Sequence, residues 1–185
     1  MPQVDSTLSH SFPHKLLELI ENAPLSGLAA GPKCKSTAQQ IETLLVNIPA
    51  LQGSLTEAGL WLLAGELDRS HSVSQSLETA EGSYWHGIMH RREGDFWNAK
   101  YWFRRVGRHP VLEQLASFLG ANENAQQFVS STPLPIRELS SPTKVAEVLV
   151  ECCERALSSK PEQVNALQRI CWLEWQFLFL YGCDI

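Results

Sequence analysis

Residues 84–110 read YWHGIMHRREGDFWNAKYWFRRVGRHP, and this stretch decides the fold. A helical pattern over 81–93 is broken at Gly94. Asp95 is placed to cap a second helix that runs to Gly107. Two helices joined by so short a turn must fold back on one another. The same stretch concentrates positive charge. Arg91, Arg92, Lys100, Arg104, Arg105 and Arg108 against Glu93 and Asp95 give a local +4 in a chain whose net charge is −5. The remaining residues therefore carry −9. Such asymmetry points to an anion site.

Upstream, Pro13 suits the first turn of a helix over 11–22, with Leu16, Leu17, Leu19 and Ile20 on its apolar face. A Gly/Pro-rich linker over 23–35 follows. Ser36 and Gln39 have capping-box spacing and open a short helix that ends before Pro49. Ser54 and Glu57 repeat that signature and open a helix to about Asp68. The serine-rich stretch 69–80 reads as a loop or a short irregular helix. Downstream, Pro110 starts a helix to Leu119. A minor helix over 123–129 and a loop over 130–141 come next. Pro142 and Pro161 open a last hairpin, whose second helix is apolar nearly all round and so should be central. Strand alternation is nowhere sustained. The expected fold is a single all-α domain over 1–185, a bundle of about seven helices, with residues 1–10 flexible.

Composition narrows the class further. With 44% hydrophobic and 19% charged residues among 185, the chain can bury a core, which excludes a disordered or low-complexity protein. Five cysteines without a C-x-x-C pair exclude a zinc finger of the usual spacing and a disulfide scaffold. They read as reduced thiols packed in the core of a cytoplasmic protein. Residues 1–13 lack the features of a secretory signal. The apolar run 170–181 is too short to span a bilayer and contains Glu174 and Gln176, so no membrane partner is expected. The acidic balance and the lack of a recognised motif argue against nucleic acid. Glu174, between Trp172 and Trp175, needs a buried partner, and an arginine of 84–110 is the natural one.

Part of the decisive stretch resembles a tetratricopeptide unit. Gly87, Ala99 and Phe103 fall at that family's spacing, Phe96 takes its aromatic turn position, and Pro110 comes one residue early. Ser83 stands where that family has Trp, and His86 and His90 stand where it packs Leu and Tyr. No second copy follows. The likeness implies one tetratricopeptide-like helical hairpin and no repeat groove. The run HRREGDFWNAKYWFRRVGRHP is also similar to a family of small, uncharacterised all-helical proteins from bacteria and fungi. That resemblance implies a compact single domain and supplies no mechanism.

Two candidate sites emerge. His86, His90 and Glu93 are spaced i, i+4, i+7 and share a helix face, the arrangement that helical metal sites use. His71 could add a ligand. A divalent metal, or metal-free acid/base chemistry by His71, His86, His90 and Glu93, would make a small enzyme or metal-dependent protein, with Arg91 or Arg92 orienting an anionic substrate. The plainer alternative makes these histidines core residues. The second site is a basic aromatic face of Arg91, Arg92, Trp97, Lys100, Tyr101, Arg104 and Arg105. There a guanidinium fork and a cation–π pair would hold a small anion or an acidic peptide. A cytosolic binding protein of this second kind is the leading expectation. Geometry discriminates: histidines open to solvent beside His71 and Glu93 favour the metal, and histidines buried against Trp85 or Trp61 favour the core.

Overall fold

The computed structural model describes residues 4, 8–121, 141–142, 144–158 and 161–183. Among these it has nine α-helices and no strand: α1 His14–Asn22, α2 Lys35–Asn47, α3 Leu55–Leu63, α4 Leu67–Ser74, α5 Ala80–Glu93, α6 Phe96–Val106, α7 Pro110–Ala121, α8 Val145–Ala156 and α9 Pro161–Tyr181. Short 3-10 turns lie at Ser9–Ser11 and Pro49–Leu51. No helix among the described residues is long and apolar enough to cross a membrane. The helix expected over 123–129 and most of the loop after it fall outside the described residues.

Caps set the frame. Ser54 Oγ accepts the Glu57 amide at 3.2 Å, and the Glu57 carboxylate reaches back to the Gly53 amide while holding Trp61 Nε1 at 2.8 Å. The expected box is therefore present, closed one residue earlier than the usual form. Thr79 caps α5 through the Gly82 amide at 3.0 Å, and Asp95 caps α6 through the Asn98 amide at 3.1 Å. Gly94 ends α5 with φ 93°, a conformation open mainly to glycine. The chain reverses there in two residues, and α6 lies along α5. A Cβ at Gly87 would stand 3.1 Å from the Phe103 ring, so the missing side chain lets the two helices approach.

Two expectations are corrected, and a third is decided between its alternatives. The α2 helix starts at Lys35 with Cys34 as its N-cap residue, and Cys34 Sγ accepts from Thr37 Oγ1 at 3.0 Å. Ser36 thus lies inside the first turn and caps nothing. The helix opened by Ser54 ends at Leu63, because the chain turns at Gly65 (φ 76°). Of the two readings of 69–80, a loop or a short irregular helix, the helix is found in its first half as the end of α4, in which serine hydroxyls bond to carbonyls: Ser70 to Ala58 at 2.9 Å and Ser72 to Asp68 at 2.9 Å. Side chains satisfied in this way are compatible with a helix while leaving its apolar periodicity weak.

The last helix is central, as its all-round apolar sequence implies. Trp172, Trp175 and Phe179 form a stacked ladder on α9 with ring centroids 4.9 and 4.6 Å apart, and Trp85 of α5 meets Trp175 edge-on at 6.1 Å. Trp175 Nε1 donates to the Gly59 carbonyl at 3.0 Å. At Gly59 a Cβ would come within 2.9 Å of Trp85 and 3.0 Å of Phe179, so α3 crosses at a point where only glycine fits. Phe12 joins the same core by stacking on Phe179 at 6.0 Å.

Candidate functional site

Packing of α4 on α5 brings three histidines together. His86 and His90, one turn apart on α5, stack at 4.8 Å with an interplanar angle of 17°. His71, in the last turn of α4, meets both edge-on, at 4.6 Å from His86 and 5.4 Å from His90. One nitrogen from each ring lies within 4.8 Å of the others. Behind them, Trp102 of α6 stacks on His86 at 4.0 Å and 12°, which fixes the orientation of that ring. His86 and His90 are buried, whereas His71 is partly exposed and opens the cluster to solvent.

Each ring has a distinct electrostatic setting. Glu93 accepts from His90 Nδ1 at 3.0 Å, which leaves the lone pair on Nε2, where the Asn98 amide donates from 3.1 Å. His86 Nδ1 is buried without a hydrogen-bond partner. Burial, and then the neighbouring His90 and His71, pull the His86 pKa down to about 4. Burial also lowers that of His90, against the pull of Glu93. Both rings are therefore neutral at pH 7, and a metal would have to take the His90 Nε2 lone pair from the Asn98 amide.

The cluster fits a metal in donor type and number. Nitrogens bonded to zinc at about 2.0–2.1 Å in a tetrahedral set stand about 3.4 Å apart, so the rings would close by about 1.4 Å at most. The third member of the cluster differs from the one that helical spacing proposes. His71 stands with His86 and His90, and Glu93 sits behind His90 as its hydrogen-bond acceptor. His86 is covered by Trp102 rather than by Trp85 or Trp61, and with His86 and His90 both buried, the condition of rings open to solvent is met by His71 alone.

The basic aromatic face is divided three ways. Arg91 is buried on Glu174, which it grips through both Nη atoms, and the Tyr84 hydroxyl donates to the same carboxylate at 3.3 Å. Burial, and next the Glu174 charge, hold the Tyr84 phenol far above its ordinary pKa, so it stays a donor. Arg92 is buried as well. It donates from Nη1 to the Leu62 carbonyl, its Nε has no partner, and burial lowers its pKa to about 10. Lys100 and Arg104 tie α6 to α8, through Glu151 at 3.1 Å and Glu147 at 2.7 Å. At the surface remain Trp97, stacked with Tyr101 at 6.4 Å, and Arg105, which lies over the Trp102 ring at 5.2 Å.

Sequence reasoning missed two polar features. His109 is buried, accepts the Val111 amide at 3.2 Å to help start α7, and reaches Glu81 at 3.3 Å. The thiols of Cys153 and Cys171 lie 3.6 Å apart between α8 and α9. The His-Pro pair announces the first. The second was legible only as two cysteines on facing helices of one hairpin.

Fold and site together define a protein that is all-helical among the described residues, with a three-histidine cluster between α4 and α5. Comparison of the chain with protein-family models, with curated proteins and with solved structures finds no match in any of the three.

Proposed function

We propose that this protein binds one divalent transition-metal ion through His71, His86 and His90. The observation that carries this reading is the convergence of three imidazole nitrogens within 4.8 Å of one another from two helices, one ring having an orphaned buried nitrogen. A set of imidazole ligands suits zinc, copper, nickel or iron rather than magnesium or calcium. Glu93 takes the supporting part: it fixes the His90 tautomer and raises that ring's basicity. Trp102 keeps water off one side, and the partly exposed His71 side leaves room for a further ligand. An open position of this kind is what a catalytic use of the site requires. In the tetratricopeptide-like reading of α5 and α6, the hairpin's packing positions have become a ligand frame, with Gly87 against Phe103 holding the helices close.

An acidic-peptide or small-anion site on α6 would have to be made from Trp97, Tyr101 and Arg105, because ion pairs occupy Lys100 and Arg104. The metal reading has the fuller geometry.

Elemental analysis of untagged protein, followed by calorimetric titration of the metal-free form with zinc, tests the proposal. One equivalent is expected. His71→Ala, His86→Ala and His90→Ala should each abolish tight binding, and Glu93→Gln should weaken it about 10–100-fold. Absence of binding in folded wild-type protein would return the histidines to a packing role.

A further inference from the structure

The α8–α9 hairpin juxtaposes the Cys153 and Cys171 sulfurs at 3.6 Å, between residues 18 apart in sequence. Cys153 is buried, whereas Cys171 is partly exposed and lines a cavity of about 30 Å³ whose wall includes Ser26, Arg91, Arg92 and Gln168. Such a space admits one or two molecules the size of water. Its electrostatics are lopsided. Glu174 neutralises Arg91, but among the described residues no carboxylate pairs with Arg92, whose Nε lacks any partner. A buried guanidinium calls for an anion. The Cys171 sulfur lies on the same wall: its contact with Cys153 lowers its pKa against the effect of burial, and Arg91 and Arg92 add to the lowering.

We propose that Cys153 and Cys171 are a redox-active dithiol that a small hydroperoxide converts to an interhelical disulfide, with Cys171 as the attacking sulfur. The Cys171 thiolate takes one oxygen of hydrogen peroxide. The O–O bond breaks, Cys171 becomes a sulfenic acid, and the released hydroxide takes up a proton to leave as water. The Cys153 sulfur then attacks that of Cys171 as its own proton departs. The S–S bond forms, and the sulfenic hydroxyl leaves as a second water. Two thiols and one peroxide thus give one disulfide and two waters. Closing from 3.6 Å to a bond of about 2.05 Å asks the two side chains for a combined shift of about 1.5 Å.

The reaction singles out one pair among five cysteines. Burial pushes the Cys152 thiol up to about 12, so the immediate neighbour of Cys153 should stay inert. Cys34 has a lowered pKa through the Ser36 and Thr37 hydroxyls and should be oxidised without a partner. The test uses folded, reduced wild-type protein treated with hydrogen peroxide at pH 7. Free thiols are then alkylated, and the protein is digested without reductant and mapped by mass spectrometry. A linked peptide pair joining Cys153 to Cys171, two hydrogens lighter than its parts and reversed by dithiothreitol, is the expected result. Cys153→Ser should leave a sulfenic acid on Cys171 that dimedone traps, and Cys171→Ser should leave Cys153 reduced. His86→Asn should not change either outcome, which separates this inference from the metal reading. Linkage through Cys152 or Cys183, or a Cys171 that remains fully alkylable after Cys34 has been oxidised, would overturn it.

Discussion

Glu174 holds its carboxylate at zero solvent exposure, between the Arg91 guanidinium and the Tyr84 hydroxyl. Removal of one member of a buried pair leaves the other charge uncompensated, which costs about 3–5 kcal/mol. Urea denaturation of Glu174→Gln should show a loss of that size, and adding Arg91→Met should recover part of it. An unchanged midpoint would mean that the pair contributes nothing. His86 sets a second expectation. Its pKa in the fold, about 4, lies below the ordinary 6.5. Above pH 6.5 the ring is neutral in both the folded and unfolded chain, and its full contribution to stability is present. As pH falls toward 4 the unfolded chain takes up a proton that the folded one refuses, so stability is lost across that window. Melting temperatures of the metal-free protein should therefore fall more steeply between pH 6.5 and pH 4 for wild type than for His86→Gln. Equal slopes would show that the ring is not held neutral.

Among the elements, the clearest reading came where one residue has one physical job. Gly94 and Asp95 mark the α5–α6 turn because a left-handed stop and a side-chain cap leave few alternatives, and both are in place. Ser54 and Glu57 mark α3 for the same reason. The start of α2 was not legible, since a thiol at the N-cap lies outside the usual repertoire of capping side chains. The α4 helix was half legible, as a loop or a short irregular helix, because its serines supply no apolar rhythm. Close packing between elements was equally silent in the sequence. At Gly59, Ala would gain about 1 kcal/mol in helix propensity yet meet the rings of Trp85 and Phe179 at 3.0 Å or less. Phe179 belongs to the stacked ladder and Trp85 abuts it edge-on, so both rings are hemmed in, and overpacking of this kind costs about 1–3 kcal/mol. Chemical denaturation of Gly59→Ala should show a net loss of stability; a gain would mean that α3 has room to shift.

In the molecule as a whole, the local part of the site could be read and the part assembled by tertiary packing could not. His86 and His90 share a helix face by spacing alone. His71 joins them only because α4 exists and packs on α5, while Glu93 stands outside the three-nitrogen cluster, hydrogen-bonded to His90. The charge asymmetry of residues 84–110 was real, but most of it is answered within the chain, by Glu174 of α9 and by Glu147 and Glu151 of α8. An uneven charge distribution along a sequence thus became a set of contacts between helices. The stack of Trp102 on His86 has an optical consequence. An indole in van der Waals contact with an imidazole loses emission when that ring gains a proton or when an open-shell ion arrives beside it. Of the six indoles in the chain, this one lies against a histidine of the cluster. Copper(II) or acid should dim wild-type fluorescence by a component that Trp102→Phe removes, so the protein carries its own gauge of what occupies the cluster.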